Sequence, residues 1–165
     1  MLKRLIILLL LASGAVLARA QALPEVKLQD ASGRTVMTSA LADGKTPFVV
    51  SMWMTTCKPC LKELDTLAEE LVDWDEPFAL KIYAVSIDDS CSLQRAIAMS
   101  GGRDWDGISV LFDPNGDLRR ALNVSAVPQV FVYDGRGDLF YTHIGYRPGD
   151  ELELLEQVKK CAKKK

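Results

Sequence analysis

The chain has 165 residues, with 20 basic and 22 acidic side chains, one histidine and four cysteines. A net charge of −2 at pH 7 gives no basic footprint of the kind nucleic acid requires, so nucleic acid is not an expected partner. There is no internal repeat or low-complexity stretch, and the length suits one domain with one core.

Residues 1–20 read as a signal peptide. Met1-Leu2-Lys3-Arg4 is a short basic start, residues 5–17 are apolar, and Ala18-Arg19-Ala20 fits a small-x-small cleavage pattern with Gln21 next. The apolar stretch is short for a membrane span, which needs roughly 20 residues; the alternative is an uncleaved N-terminal anchor. No cysteine follows it at the cleavage point, which argues against a bacterial lipoprotein. The expected location is the periplasm or another extracytoplasmic compartment, where protein disulfides persist. Losing Lys3, Arg4 and Arg19 leaves 17 basic against 22 acidic residues in the domain, 21–165.

Residues 26–29 alternate like a strand, turn at Ser32-Gly33 and return over 35–37. Residues 47–54 form an apolar run that predicts the first central strand. After it, Leu64, Leu67, Ala68 and Leu71 recur at helical spacing, so a helix is expected over 58–72. Residues 78–87 predict a second, parallel strand. A helix over 90–99 would be capped by Asp88, Asp89 or Ser90 and ended by Gly101-Gly102. A short strand, 109–112, closes at Asp113-Pro114-Asn115-Gly116, and a short helix follows over 118–122. Strands 129–133 and 139–144 flank Asp134-Gly135-Arg136-Gly137 as a hairpin. Pro148-Gly149-Asp150 opens a last helix through Leu152, Leu154, Leu155 and Val158. The basic tail, 159–165, reads as lysines that complement a helix C-terminus and then fray. The order β-α-β-α-β-β-α with extra N-terminal strands predicts an α/β fold: a central sheet with helices on both faces.

Cys57-Lys58-Pro59-Cys60 lies where the first central strand meets its helix. Two thiols at this spacing close a disulfide only where the backbone bends tightly. A helix N-terminus offers free N–H groups and a dipole that stabilise a thiolate, and Lys58 adds positive charge. Pro59 suits the first turn because its missing N–H would have no partner there. A strand–C-x-x-C–helix unit reads as a redox dithiol. Zinc would want four ligands, and beyond the pair only Cys91, Cys161 and His143 remain. An inert staple is the other bland reading. A peroxiredoxin-like peroxidase would need Thr three residues before its reactive Cys and Pro further upstream; Met54 and Val50 stand there. A copper chaperone of thioredoxin fold would space its cysteines by three residues and use a distant His, for which His143 is the one candidate.

Taken together, Trp53-Met54-Thr55-Thr56-Cys57-Lys58-Pro59-Cys60, Glu63, Val127-Pro128, Gly145, the early strand pair and the insert over 101–112 resemble the thioredoxin superfamily. More narrowly, they resemble the exported TlpA/ResA-like thiol–disulfide oxidoreductases. The resemblance covers essentially all of the chain after residue 20. It implies Cys57 as exposed nucleophile, Cys60 as buried resolving thiol, the two forming a redox-active disulfide, and Pro128 as a cis-proline facing them. Val127 would offer its backbone to a substrate strand, with Trp53, Thr56, Lys58 and Pro59 around it. Glu63, one turn after Cys60, would exchange a proton with the buried thiol, partial burial raising its pKa. No metal or organic cofactor is implied. The implied partners are envelope proteins with thiols or disulfides, apocytochrome c among them, and a membrane-embedded electron donor; the implied direction is reduction, by a monomer. The alternative from another class is a copper-binding or docking module on the same fold.

Three positions depart from the family. Thr56 replaces a Trp before the first Cys. Ser51 stands where thioredoxin has a buried Asp, so a proton relay from that strand position is expected to be absent. Gln129 follows the proline where Thr or Ser is common. Cys91 is expected to be a small buried residue on the sheet face opposite Cys57, Cys161 to lie at the far end, and His143 to have no catalytic role.

Overall fold

The structure, a computed structural model, describes residues 21–164; the expected leader lies outside them. Strands β1 (Lys27–Gln29), β2 (Thr35–Met37), β3 (Phe48–Trp53), β4 (Lys81–Ser86), β5 (Ile108–Phe112), β6 (Gln129–Tyr133) and β7 (Leu139–Ile144) alternate with helices α1 (Lys58–Val72), α2 (Leu93–Gly101), α3 (Asp117–Ala121) and α4 (Asp150–Lys163). One mixed sheet runs β2-β1-β5-β4-β3-β6-β7. β3, β4 and β5 are parallel neighbours, while β6, β7 and the β1–β2 pair run antiparallel.

β3 is buried on both sides, as its unbroken apolar run predicts. Its period-2 alternation sends Val49 and Trp53 into one core and Phe48, Val50 and Met52 into the other. The first core holds Leu64 and Leu67 of α1, Ala96 of α2 and Leu154, Leu155 and Val158 of α4. The second holds Leu118 of α3, Leu28 of β1 and Leu41 of the single 3₁₀ turn after β2. Helices thus cover both faces, with the three long ones together. Right-handed crossovers explain the grouping: β3→β4→β5 steps in one direction, so both connecting helices lie on one face. The helix after Cys91 is therefore on the face of α1, not the opposite one.

Several boundaries shift for local reasons. β4 starts at Lys81 rather than 78, because Trp74 Nε1 donates to the Phe78 carbonyl (2.9 Å) and the two rings pack edge to face, holding the connection in a turn. α2 starts at Leu93 because Asp89 accepts the Ser92 amide (3.0 Å) and Asp88 is engaged elsewhere. Cys91 is left exposed in that turn, which corrects the expectation of burial. α4 continues to Lys163, so most of the basic segment is helical. Lys159 reaches Glu76 (3.2 Å) and lies over the Trp74 ring.

The pole of the sheet farthest from Cys57 is tightly made. A Cβ on Gly135, in the β6–β7 hairpin, would lie 2.4 Å from the Lys45 backbone, so no side chain fits there. The first described residues pair with the same hairpin: Leu23 N–H donates to the Gly137 carbonyl (2.8 Å), Leu139 N–H to the Gln21 carbonyl (3.0 Å), and Ala22 bridges Asp138. Among the described residues no helix is long and apolar enough to cross a membrane.

Candidate active site

The C-terminal end of β3 delivers the chain to Cys57 through a tight turn in which the Cys57 N–H bonds the Met54 carbonyl (3.0 Å). Cys57 is the N-cap of α1, its sulfur accepting the Cys60 N–H at 3.2 Å, with Pro59 in the first turn. The two cysteines form a disulfide with Cα atoms 5.3 Å apart. Cys57 is half-buried and Cys60 fully buried, while Thr56, Lys58 and Pro59 are exposed around them. The sulfur nearer solvent is thus the one at the helix dipole's positive end.

Val127-Pro128 is a cis peptide. Gln129, the next residue, lies opposite Met52 in the β3–β6 register, which sets the proline beside the end of β3 that leads to Cys57. Val127 is partly exposed and packs against the same core as the disulfide. Pro128 itself is buried, and its carbonyl accepts the Gly145 N–H (2.8 Å). Gln129 is buried, its side-chain oxygen without a partner among the described residues. Trp53 departs from expectation. It is fully buried, edge to face with Trp105 at 5.3 Å, and therefore supports the site from the core instead of lining a surface.

Glu63 is buried, 3 % exposed, on the core side of α1. The Ser51 hydroxyl donates to its carboxylate at 3.0 Å. Burial pushes Glu63 up to about 7; the Ser51 hydrogen bond pulls the other way, and the negative charges of Asp150 and Glu151 push it further up. Ser51 therefore does not abolish a buried carboxyl at this place. The strand supplies a hydroxyl here and the helix supplies the acid.

Sequence reasoning missed a second buried acid. Asp88, 4 % exposed just after β4, accepts the Thr55 N–H (2.8 Å), the Thr55 hydroxyl (2.7 Å) and the Ser86 hydroxyl (2.9 Å). Arg95 donates to the Thr55 hydroxyl (3.1 Å) and lies 3.8 Å from the Asp88 carboxylate. This network pins the segment before Cys57. Its signal was available: the C-terminal ends of adjacent parallel strands meet at one edge, where sites gather. Cys161 lies buried at the far end, its thiol pushed up to about 11 by burial. Among the described residues no group of three or more His, Cys, Asp or Glu is arranged to hold a metal ion.

A C-x-x-C disulfide at a helix N-terminus, a neighbouring cis-proline and this sheet order define a thioredoxin-like domain. The AhpC/TSA family model matches residues 20–142, and the chain belongs to that family. A thioredoxin-like protein from Porphyromonas gingivalis, solved in solution, is 42 % identical with a TM-score of 0.73, over 88 % of this chain and 94 % of that one. Among curated proteins, the thiol:disulfide interchange protein DsbE of Yersinia pestis is 27 % identical over 124 residues, 74 % of this chain and 62 % of the relative. A DsbE homolog of Paracoccus denitrificans (strain Pd 1222) is 25 % identical over 122 residues, 74 % of this chain and 64 % of the relative. The chain thus spans less than two thirds of the length of these curated relatives.

Proposed function

We propose that the protein is a thiol–disulfide oxidoreductase working through Cys57 and Cys60, and that it acts outside the cytoplasm as a reductant. The observation that carries this reading is the asymmetric disulfide: a half-exposed sulfur at a helix N-terminus joined to a buried one, with a buried carboxyl one turn further on. In the reduced protein the Cys57 thiolate attacks a substrate disulfide and one substrate thiolate leaves. The Cys60 sulfur, giving its proton to Glu63, then attacks Cys57 and releases the second substrate thiolate. Two electrons pass to the substrate and the Cys57–Cys60 disulfide is formed.

Thr56, Lys58 and Pro59 surround the reactive sulfur. The Val127 backbone beside Pro128 is the edge on which a substrate segment adds as a short strand. Substrates are envelope proteins with exposed disulfides, and the names of the two curated relatives support the interchange reaction. A membrane-embedded donor would return the electrons. Export rests on the basic–apolar–small pattern of residues 1–20.

The test is alkylation of the reduced protein at mildly acidic pH. Cys57 should react far faster than Cys60 or Cys91, and Cys60→Ala should accumulate mixed disulfides through Cys57. Faster reaction at Cys60 would overturn the assignment of roles.

A further inference from the structure

The β3–β6–β7 register lines up Ser51, Val130 and His143 as directly opposed residues across three adjacent strands. Opposed residues share a face, and Ser51 shows which one: it donates to Glu63, beneath α1. A small cavity of about 20 Å³ lies over this row, lined by Glu63 on one side and by Tyr141, His143, Asp150 and Glu153 on the others, with Val130 and Leu154 as apolar surface. One water needs roughly 10–15 Å³ and two to four polar partners, and this cavity offers both. At its outer side His143 Nε2 lies 3.5 Å from Asp150 Oδ2; both residues are about one-third exposed. The same Asp150 oxygen accepts the Arg147 N–H at 2.7 Å, which fixes the carboxylate at the start of α4.

We propose that this cavity is the proton port of the site, and that His143, held by Asp150, is the positioning residue that passes protons between solvent and Glu63 through a single water over Val130. The inference rests on the reading of Glu63 as the proton partner of Cys60. When Cys60 attacks the mixed disulfide, Glu63 takes its proton and hands it through the cavity water to the His143 imidazole, which releases it to bulk. On reduction of the Cys57–Cys60 disulfide the same proton returns: imidazolium to water, water to Glu63, Glu63 to the Cys60 thiolate. Glu63 is 3 % exposed and lines this cavity, which gives it a route to solvent. Imidazole suits the task because one ring nitrogen can accept a proton while the other gives one up.

Titratable and polar groups reach the port from every element around it. Ser51 comes from β3 and Tyr141 and His143 from β7. Asp150, Glu151 and Glu153 come from α4, and Tyr146, whose hydroxyl bonds Thr66 at 3.3 Å, from the loop between β7 and α4. Burial, with Glu153 and Asp150, raises Tyr141 above its ordinary range, so it does not compete as a base at the port.

The experiment follows single-turnover oxidation of the reduced protein by glutathione disulfide from pH 5 to 9 in dilute buffer. It compares wild type, His143→Ala, Val130→Ile and Glu63→Gln. Positioned proton transfer contributes roughly 10²–10⁴-fold. His143→Ala should therefore slow the resolving step by up to roughly 10²-fold and displace its pH profile, and added imidazole should restore it. Alkylation of Cys57 should not change. Val130→Ile adds one methylene to the cavity wall; it should slow the same step without rescue by imidazole. Wild-type rate and profile in His143→Ala, with Glu63→Gln altering both, would overturn the port while leaving Glu63 in its role. An unaltered Glu63→Gln would overturn the reading beneath it. A slow His143→Ala with an unmoved profile and no rescue would mark a structural loss and also overturn the port.

Discussion

Two buried carboxyls flank the active-site loop, and they are built differently. Asp88 accepts three hydrogen bonds from Thr55 and Ser86, with Arg95 nearby. Glu63, equally buried, accepts one, from Ser51, and faces other acids. The difference shows that burial serves two ends. Three donors fix where the Asp88 carboxylate points, whereas Glu63 has one donor and burial pushes it up to about 7. Asp88 is a peg for the segment leading to Cys57. Glu63 is the group able to exchange a proton near neutral pH.

The sharpest way to break this comparison is Asp88→Ala. It strands the Thr55 amide and two hydroxyls in a buried place, and should cost about 3–5 kcal/mol, read from urea denaturation of the oxidised protein. A loss below about 1 kcal/mol would remove the peg. Glu63→Gln should act in the opposite sense at alkaline pH. The folded protein holds the Glu63 proton up to about 7, above the 4.5 of the free side chain. The stability it contributes is therefore complete below about pH 4.5 and is lost as pH rises through 7. Each pKa unit is worth 1.36 kcal/mol, so wild type should lose about 3 kcal/mol between pH 4 and pH 9 that the Gln variant keeps. Parallel denaturation curves for the two proteins across that range would refute it. The smallest effect belongs to Ser51→Ala. Removing the single donor should raise the Glu63 pKa further, seen as a displaced pH profile of exchange at a stability cost of about 1 kcal/mol.

Much of this molecule was legible in its sequence. The apolar run of β3, the C-x-x-C at the next helix start, the Asp134–Gly137 turn and the Val127-Pro128 position led to the observed sheet and to the residues now found around the disulfide. What escaped depends on tertiary register. Ser51 and Glu63 are twelve residues apart and meet only because α1 packs back over β3. Asp88 read as a helix cap, since nothing local says that a loop 33 residues earlier needs its carboxylate more. His143 read as a plain strand residue because the cavity beside it exists only once α4 is in place. Trp53 looked like a surface contact by its place in the motif, yet its alternation partner Val49 already put it inside.

The pairing of residues 21–23 with the β6–β7 hairpin has a practical consequence for handling the protein. Chain preceding Gln21 enters the domain at the pole opposite the dithiol. A tether attached there, whether to a bead, an electrode or a lipid layer, holds the domain by its base and presents Cys57 outward to whatever is in solution.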